Sequence, residues 1–295
     1  MELGFGATGA WAAGWFDESR AEEVLRTALT RGITHFDTAG FYADGRADER
    51  LARALQRLAP GGAVYGRQLT VSTKIGKRIG PDGRLVRDFS EHAIRDAVER
   101  HTTLFGGHRP DIVYLHGPDE KERHGSLPLL QRLKADGLIG AIGECQDGPG
   151  LAEAVCTDGI DVVMARYHFL NTSHREAFRT AKRNGKKVIS IAPLAQGMWR
   201  RGIFIPKRLS DVWGLARALI RDPKTLLAAQ KSGWIRRVDG WPPAHLAMGF
   251  VRMNEAIDVV LTTSTRPYHL EEVADGFARD LPREIAALLS VHGAQ

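Results

Sequence analysis

Four residues of complementary chemistry close successive apolar runs in the first 120 residues: Asp37, Tyr42, Lys74 and His116. Asp37 ends His35-Phe36-Asp37, and Tyr42 follows in Thr38-Ala39-Gly40-Phe41-Tyr42. Lys74 ends Val71-Ser72-Thr73-Lys74, and His116 ends Val113-Tyr114-Leu115-His116. A tyrosine works as a general acid near neutral pH when its pKa falls from about 10. A neighbouring ammonium lowers it by stabilising the phenolate. A carboxylate pairs with that ammonium and fixes it, while a histidine donates a hydrogen bond that orients a carbonyl oxygen. The set describes protonation of a carbonyl oxygen while another species attacks its carbon. Singly, Lys74 reads as a rim charge, Tyr42 as a loop aromatic and Asp37 as a cap; all four at consecutive run ends make coincidence the poorer account.

Eight strand-like runs carry these residues: Glu2–Phe5, Thr34–Asp37, Leu69–Thr73, Asp111–Leu115, Ile139–Gly143, Asp161–Ala165, Lys187–Ile191 and Ala256–Thr262. Between them lie amphipathic stretches. Ser19-Arg20-Ala21-Glu22 reads as a capping box opening the first, with Val24, Leu25 and Leu29 on one face. The others are Asp48–Leu58, Ser90–Leu104, Leu127–Ala135, Leu151–Val155, Ser173–Arg183, Pro243–Asn254 and a last one near His269–Leu289, interrupted by Pro282. Apolar runs without alternation, such as Val162-Val163-Met164-Ala165, fit strands buried on both faces of a parallel sheet. Eight such units favour an α/β fold of the (β/α)8 TIM-barrel type over a doubly wound sheet, and barrel active sites gather at the C-terminal strand ends. Glycines at positions 32, 106, 137 and 185 stand where helix C-caps need them. No linker or composition break appears, so residues 1–295 read as a single domain. The longest departure is the region 199–241 after strand seven, which holds Trp199, Trp213, Trp234 and Trp241. Such a loop either lines a pocket over the active face or is anchored to the barrel by its rings.

Composition narrows the function classes. The chain has 295 residues, 43% of them hydrophobic and 26% charged, with a net charge of +6. That is the balance of a globular protein and excludes a disordered one. The longest charge-free run, Leu3–Phe16, is too short for a membrane span and is broken by glycines. No Lys or Arg precedes Arg20, so a secretory leader is not expected. With only Cys145 and Cys156, a reducing, cytoplasmic setting is expected. The basic clusters Lys74–Arg78, Arg183–Lys187 and Arg200–Lys207 are separated and lack interleaved aromatics, so neither nucleic acid nor membrane is an expected partner.

Two apparent motifs fail on context. Gly4-Phe5-Gly6-Ala7-Thr8-Gly9 matches the dinucleotide fingerprint, but three residues precede it and a loop follows, with no acid at the required distance. His116, Asp119 and His124 share a loop without a zinc spacing, so no metal is expected.

The segment Gly32–Tyr42, followed by Gly45-Arg46-Ala47-Asp48-Glu49-Arg50-Leu51, resembles the signature of the aldo-keto reductases. The resemblance continues through Ser72–Ile75, Asp111–His116, Gly140–Gly143, Ala192–Gly197 and Thr263–Pro267 before Leu270-Glu271-Glu272. Ala192, where many members have Ser, is similar to the sugar-dehydrogenase branch of L-galactose and L-fucose type. The resemblance implies a barrel that binds NADP(H) or NAD(H) without a Rossmann domain and interconverts a carbonyl and an alcohol on a small polar or sugar-like substrate. It implies Tyr42 as proton donor, Asp37 and Lys74 as its tuning pair, and His116 as the residue that orients the carbonyl. It places the cofactor on Cys145, Gln146, Pro193, Leu194, Gln196, Gly197, Thr263, Ser264, Thr265, Arg266 and His269.

Several positions depart from the family pattern. Cys145, Gln146 and Met164 stand where members often hold the nicotinamide amide, and Ile191 stands where many stack an aromatic ring. Thr263 and His269 occupy commonly basic positions near the adenosine 2′-phosphate; Arg266 is a nearby cation suited to phosphate, which favours NADP(H) over NAD(H). Trp11, Trp15, Phe41, His168 and Trp199 are substrate-site candidates, with packing under the first helix as the alternative for Trp11 and Trp15. Two other functions compete: a catalytically weak nucleotide-binding regulator, and a barrel isomerase or lyase acting on a phosphosugar.

Overall fold

Runs that are apolar on successive residues need cover on both faces, and here they obtain it as parallel strands of a closed barrel. The computed structural model describes residues 1–195 and 232–293. The barrel strands are β1 (Glu2–Gly6), β2 (His35–Asp37), β3 (Thr70–Ile75), β4 (Ile112–His116), β5 (Ala141–Cys145), β6 (Val162–Arg166), β7 (Lys187–Ile191) and β8 (Val259–Thr262). They follow chain order around the barrel, and β8 closes on β1 with Leu3 opposite Val260. A four-residue helix, Gly9–Ala12, follows β1 where the sequence reads as a loop, and the longer helices are α1 (Glu18–Thr30), α2 (Arg46–Leu58), α3 (Glu91–Leu104), α4 (Glu120–Ala135), α5 (Gly150–Ala154), α6 (Arg175–Arg183), α7 (Pro243–Arg252), α8 (Pro267–Ala278) and α9 (Arg283–His292).

Alternate residues divide between two cores. Ile112, Tyr114, Cys145, Val162, Met164, Ile189, Val259 and Leu261 fill the inside of the barrel from β4 round to β8. Their neighbours Val113, Leu115, Ile142, Val163, Val188 and Val260 face outward under the helices. Phe5 and Phe36 do the same on β1 and β2, against Trp11, Leu25 and Leu51.

The N-terminal rim is held by a repeated device. Asp111, Asp161 and Asp258 stand immediately before β4, β6 and β8. Each carboxylate accepts a backbone N–H of the preceding strand, from Val71 (2.7 Å), Ile142 (2.8 Å) and Val188 (2.8 Å). Each aspartate N–H donates back to the carbonyl of that same residue, and each aspartate carbonyl accepts from the next strand, at Ala141, Lys187 and Glu2. One residue, through its side chain and its backbone, thereby ties three strands and satisfies backbone groups that would otherwise be orphaned at the rim. Lys134 and Lys182 neutralise Asp161 and Asp258 at 2.7 Å.

Several local readings of the sequence need correction. α1 begins at Glu18 with Asp17 as its cap, accepting from Arg20 N at 3.0 Å; Ser19 donates to Asp17 rather than forming a box with Glu22. The true capping box is at α4, where Asp119 and Glu122 bond reciprocally to each other's backbone N–H, so this helix starts well before Leu127 and carries Pro128 inside it. Two hairpins that alternation did not reveal, Ala63–Val64 with Arg67–Gln68 and Lys77–Ile79 with Leu85–Arg87, flank β3. The last helical region is two helices, with Pro282 capping the second. Gly137 and Gly185 do follow helix ends in the left-handed region, at φ +75° and +72°.

Of the Trp-rich region, Trp199 and Trp213 lie outside the described residues. Trp234 meets Phe169 edge to face, and Trp241 is buried under the Arg279 guanidinium, 3.6 Å from its ring centre. Both anchor the returning chain to the barrel coat.

Candidate active site

β2 and β3 pair with Asp37 opposite Ser72, and β3 and β4 pair with Lys74 opposite Tyr114. That register brings Asp37 and Lys74 side by side inside the barrel at its C-terminal end. The Lys74 ammonium bonds Asp37 Oδ2 and donates to the Thr38 carbonyl at 3.0 Å. Asp37 Oδ1 accepts from Ser72 Oγ at 2.8 Å. Both charges are almost fully enclosed, an arrangement that is tolerable only when each partner is hydrogen-bonded. Burial pushes the Asp37 carboxyl up and Lys74 opposes it; on Lys74 burial works against the charge, but Asp37, with Tyr42 and Cys145 adding, more than offsets it and holds the proton on.

Tyr42 follows on the loop after β2, with its ring centre 5.1 Å from Lys74 Nζ. Burial raises the phenol above its ordinary value, with Lys74 pulling the other way. The resting phenol is therefore held protonated, whereas the sequence alone pointed to a lowered pKa. His116 ends β4, its ring centre 6.5 Å from Tyr42 and 5.3 Å from Phe41. Its Nδ1 is buried with no hydrogen-bond partner. Burial, with Lys74 and Lys77 adding, depresses its pKa to about 3, so the imidazole is neutral and keeps one N–H to donate. Phe41 and Tyr42 meet edge to face at 4.9 Å, which places Phe41 beside both candidate reacting groups.

The loop between β2 and α2 is held from behind by residues whose roles spacing did not disclose. Thr38 Oγ1 donates to the buried Asp48 at 2.5 Å. Arg50 is buried and donates to the carbonyls of Trp11 and Phe16, the latter at 2.8 Å, and to Glu18 at 3.0 Å. Arg50 thereby clamps the loop after β1. Trp11 is fully enclosed, donates its indole N–H to Ala21 O at 3.2 Å and packs edge to face on Phe5. It is a core residue under α1 and not a pocket wall. Trp15 is exposed beside Phe16, and His168 is buried just past β6, where its backbone pairs with Asn171.

The other candidates ring the same rim. Cys145 faces the barrel interior, its thiol pushed up to about 12 by burial, which leaves it unreactive. Gln146 donates to the Pro118 carbonyl at 2.9 Å. Met164 and Ile191 add apolar surface inside the barrel. Tyr114 fits there because Gly143 has no side chain: a Cβ would stand 2.3 Å from its ring. Past β7, Pro193 is buried, Leu194 is partly buried, and Ala192 and Ala195 hold left-handed backbone at φ +58° and +46°. Gln196, Gly197 and Trp199 lie outside the described residues. Past β8, Thr263, Ser264, Thr265 and Arg266 lead into α8, whose first turn has no acid. Ser264 Oγ accepts from Arg266 N at 3.1 Å, and the exposed Arg266 donates to Tyr268 Oη at 2.6 Å without a carboxylate partner among the described residues. His269 is exposed in that turn. A helix N-terminus without acids, beside a cation, suits an anionic ligand. The set fits a dinucleotide: an anion site past β8 at the start of α8, and an apolar floor inside the barrel leading to Tyr42 and His116.

The fold and this polar cluster define a barrel oxidoreductase. Residues 2–291 match the Aldo/keto reductase family, and the chain belongs to it. Among its relatives, pyridoxine 4-dehydrogenase of Escherichia coli (strain K12) is 28% identical over 77% of this chain and 79% of its own. D-threo-aldose 1-dehydrogenase of a Pseudomonas species is 26% identical over 92% and 88%, and L-galactose dehydrogenase of Arabidopsis thaliana is 28% identical over 66% and 62%. In structure, the chain is similar to the holo form of an aldo-keto reductase from Bacillus halodurans, with a TM-score of 0.78 and 21% identity over 99% of this chain and 92% of that one. The chain is an NAD(P)-dependent aldo-keto reductase, an enzyme that reduces carbonyls or oxidises alcohols. No described helix is long and apolar enough to cross a membrane.

Proposed function

We propose that this chain acts as a single-domain, cytoplasmic reductase of aldehydes or ketones on small polar or sugar-like substrates, with NADP(H) preferred and Tyr42 as general acid. The observation that carries the reading is the enclosed Asp37–Lys74 pair set against the Tyr42 ring, with neutral His116 across from it. A nicotinamide bound here would supply hydride to, or take it from, the substrate carbon. Cys145, Gln146, Pro193, Leu194, Thr263, Ser264, Thr265, Arg266 and His269 are the described residues proposed to hold it, with Gln196 and Gly197.

The His116 N–H donates to the substrate oxygen and fixes its direction. Tyr42 gives its proton to that oxygen as negative charge develops there. The raised phenol pKa keeps the proton in place until then, and Lys74 meets the phenolate that remains. Asp37 and the Thr38 carbonyl prevent Lys74 from swinging away. In the reverse direction the phenolate must form first, so alcohol oxidation gains rate toward alkaline pH while carbonyl reduction does not. Arg266, exposed at the start of α8 without a carboxylate partner among the described residues, is a cation suited to a 2′-phosphate, which supports NADP(H).

The test is consumption of NADPH and of NADH with 4-nitrobenzaldehyde and glyceraldehyde, for wild type and Tyr42→Phe. Wild type turns over, and the Phe variant loses about 10²–10⁴-fold in kcat while its thermal midpoint and NADPH binding hold. A fully active Phe variant overturns the role of Tyr42, and a wild type inert toward every carbonyl overturns the function.

A further inference from the structure

The hairpin that follows β3 overhangs the rim beside His116 and carries four cations, Lys77, Arg78, Arg84 and Arg87. Three are neutralised, Arg84 by Asp82 at 3.7 Å in the turn. Arg78 pairs with Asp88 at 2.9 Å. Arg87 grips Glu122 through Nε and Nη2, and Nη2 also donates to Gly117 O at 3.0 Å. Glu122 also accepts from Asp119 N at 2.8 Å, so its carboxylate is committed. Lys77 is half-buried, stands opposite Arg87 in the hairpin register, and has no carboxylate within 4.0 Å among the described residues.

Its ammonium lies against the Gly117 backbone: a Cβ there would stand 3.3 Å from Lys77 Nζ and 3.7 Å from Gln146 Oε1. The charge is thus next to His116 and the end of β5, near enough to depress the imidazole. The lysine lies on the nicotinamide side of the proposed cofactor site, near Gln146, but the proposed phosphate positions do not claim it: they stand past β8 at the start of α8, three strands round the barrel from β3. A half-buried cation held among like charges, beside the residue that orients the carbonyl, lacks one thing: an anion brought by the substrate.

We propose that Lys77 anchors an anionic group on the substrate, a carboxylate or a phosphate monoester, so that the enzyme prefers carbonyl compounds that carry one. The inference rests on the carbonyl-reductase reading above. Lys77 is a specificity residue and takes no part in proton or hydride movement. A charge-assisted hydrogen bond in a partly desolvated site accounts for roughly 10- to 100-fold in recognition.

The experiment compares matched pairs, succinic semialdehyde with butanal and glyceraldehyde 3-phosphate with glyceraldehyde, in wild type, Lys77→Met and Lys77→Arg. Wild type favours the anionic member. Lys77→Met lowers the anionic-to-neutral ratio of kcat/KM at least about tenfold, chiefly through KM, and Lys77→Arg recovers most of it. The pair that shows the larger drop identifies carboxylate or phosphate as the group. Equal losses on both members, or no preference in wild type, overturn the proposal. Calorimetric titration with succinate and with inorganic phosphate decides the subsite without turnover. Binding that weakens tenfold in Lys77→Met supports it even if no carbonyl is reduced, the outcome in which only the functional reading fails. Equal or absent binding in both proteins overturns it.

Discussion

At the N-terminal rim, Asp111, Asp161 and Asp258 direct their carboxylates to backbone N–H groups of neighbouring strands. At the C-terminal rim, Asp37 directs its carboxylate to Lys74 and Ser72, while its own carbonyl accepts from Ala7 N. The same residue type therefore locks strand to strand at one end and sets the charge state of a side chain at the other. A carboxylate bonded to backbone is satisfied within the framework. A carboxylate bonded to an enclosed ammonium stores electrostatic potential that only a change in the site can draw on. Barrel enzymes divide stability and chemistry between their two faces, and here the division is visible in how four aspartates are used.

The comparison breaks most visibly at Lys74. Lys74→Met removes the cation and leaves Asp37 buried and unpaired, so activity falls by about 10² or more and stability drops by about 3–5 kcal/mol. Adding Asp37→Asn to that variant should restore much of the stability, read as the urea midpoint, and none of the activity. Recovery of turnover in the double variant would show that the pair is not needed for chemistry.

At the opposite rim, Asp258→Ala removes the acceptor for Val188 N and the partner of Lys182. The expected loss is about 1–3 kcal/mol in chemical denaturation, with kcat/KM unchanged. A fall in kcat/KM without a fall in stability would erase the distinction between the rims.

A smaller effect separates the barrel from its helical coat. His101, stacked on Phe105 in α3, is buried with both nitrogens unbonded, and burial lowers its pKa to about 4. The unfolded chain takes up that proton near pH 6.5, before the folded protein does. The contribution is therefore complete above pH 6.5 and is lost as pH falls toward 4. His101→Phe should flatten the acid limb of the stability profile by up to about 1.4 kcal/mol per pH unit over that window.

Much of the barrel was legible because strands buried on both faces leave unbroken apolar runs and the helices between them keep a 3.6-residue period. The convergence of Asp37, Tyr42, Lys74 and His116 was legible because each sits at a strand end or just past it. The short hairpin after β3 was not, since three-residue strands carry too little alternation to register. Its loss hid Lys77, which the sequence offers only as one charge in a basic cluster. The rim staples are present in the sequence as Asp111-Ile112-Val113, Asp161-Val162-Val163 and Asp258-Val259-Val260, but the pattern offers the first two aspartates only as strand beginnings and the third as a residue inside the run Ala256–Thr262. Their role depends on partners tens of residues away, which local pattern does not report. Trp11 shows the converse: a large aromatic after a strand looks like a pocket wall until the depth of α1 over it is known.

The repetition of the staple before β4, β6 and β8 has a consequence for how the chain can be divided. Each aspartate is joined to the strand before it by two bonds and to the strand after it by one, which makes β3–β4, β5–β6 and β7–β8 two-strand cassettes. A cut in the turn at Gly137, between cassettes, leaves every doubly bonded partner on its own fragment. A cut at Gly159 parts Asp161 from Ile142. From β3 to β8 the barrel is built in pairs, and its joints lie at the even-to-odd connections.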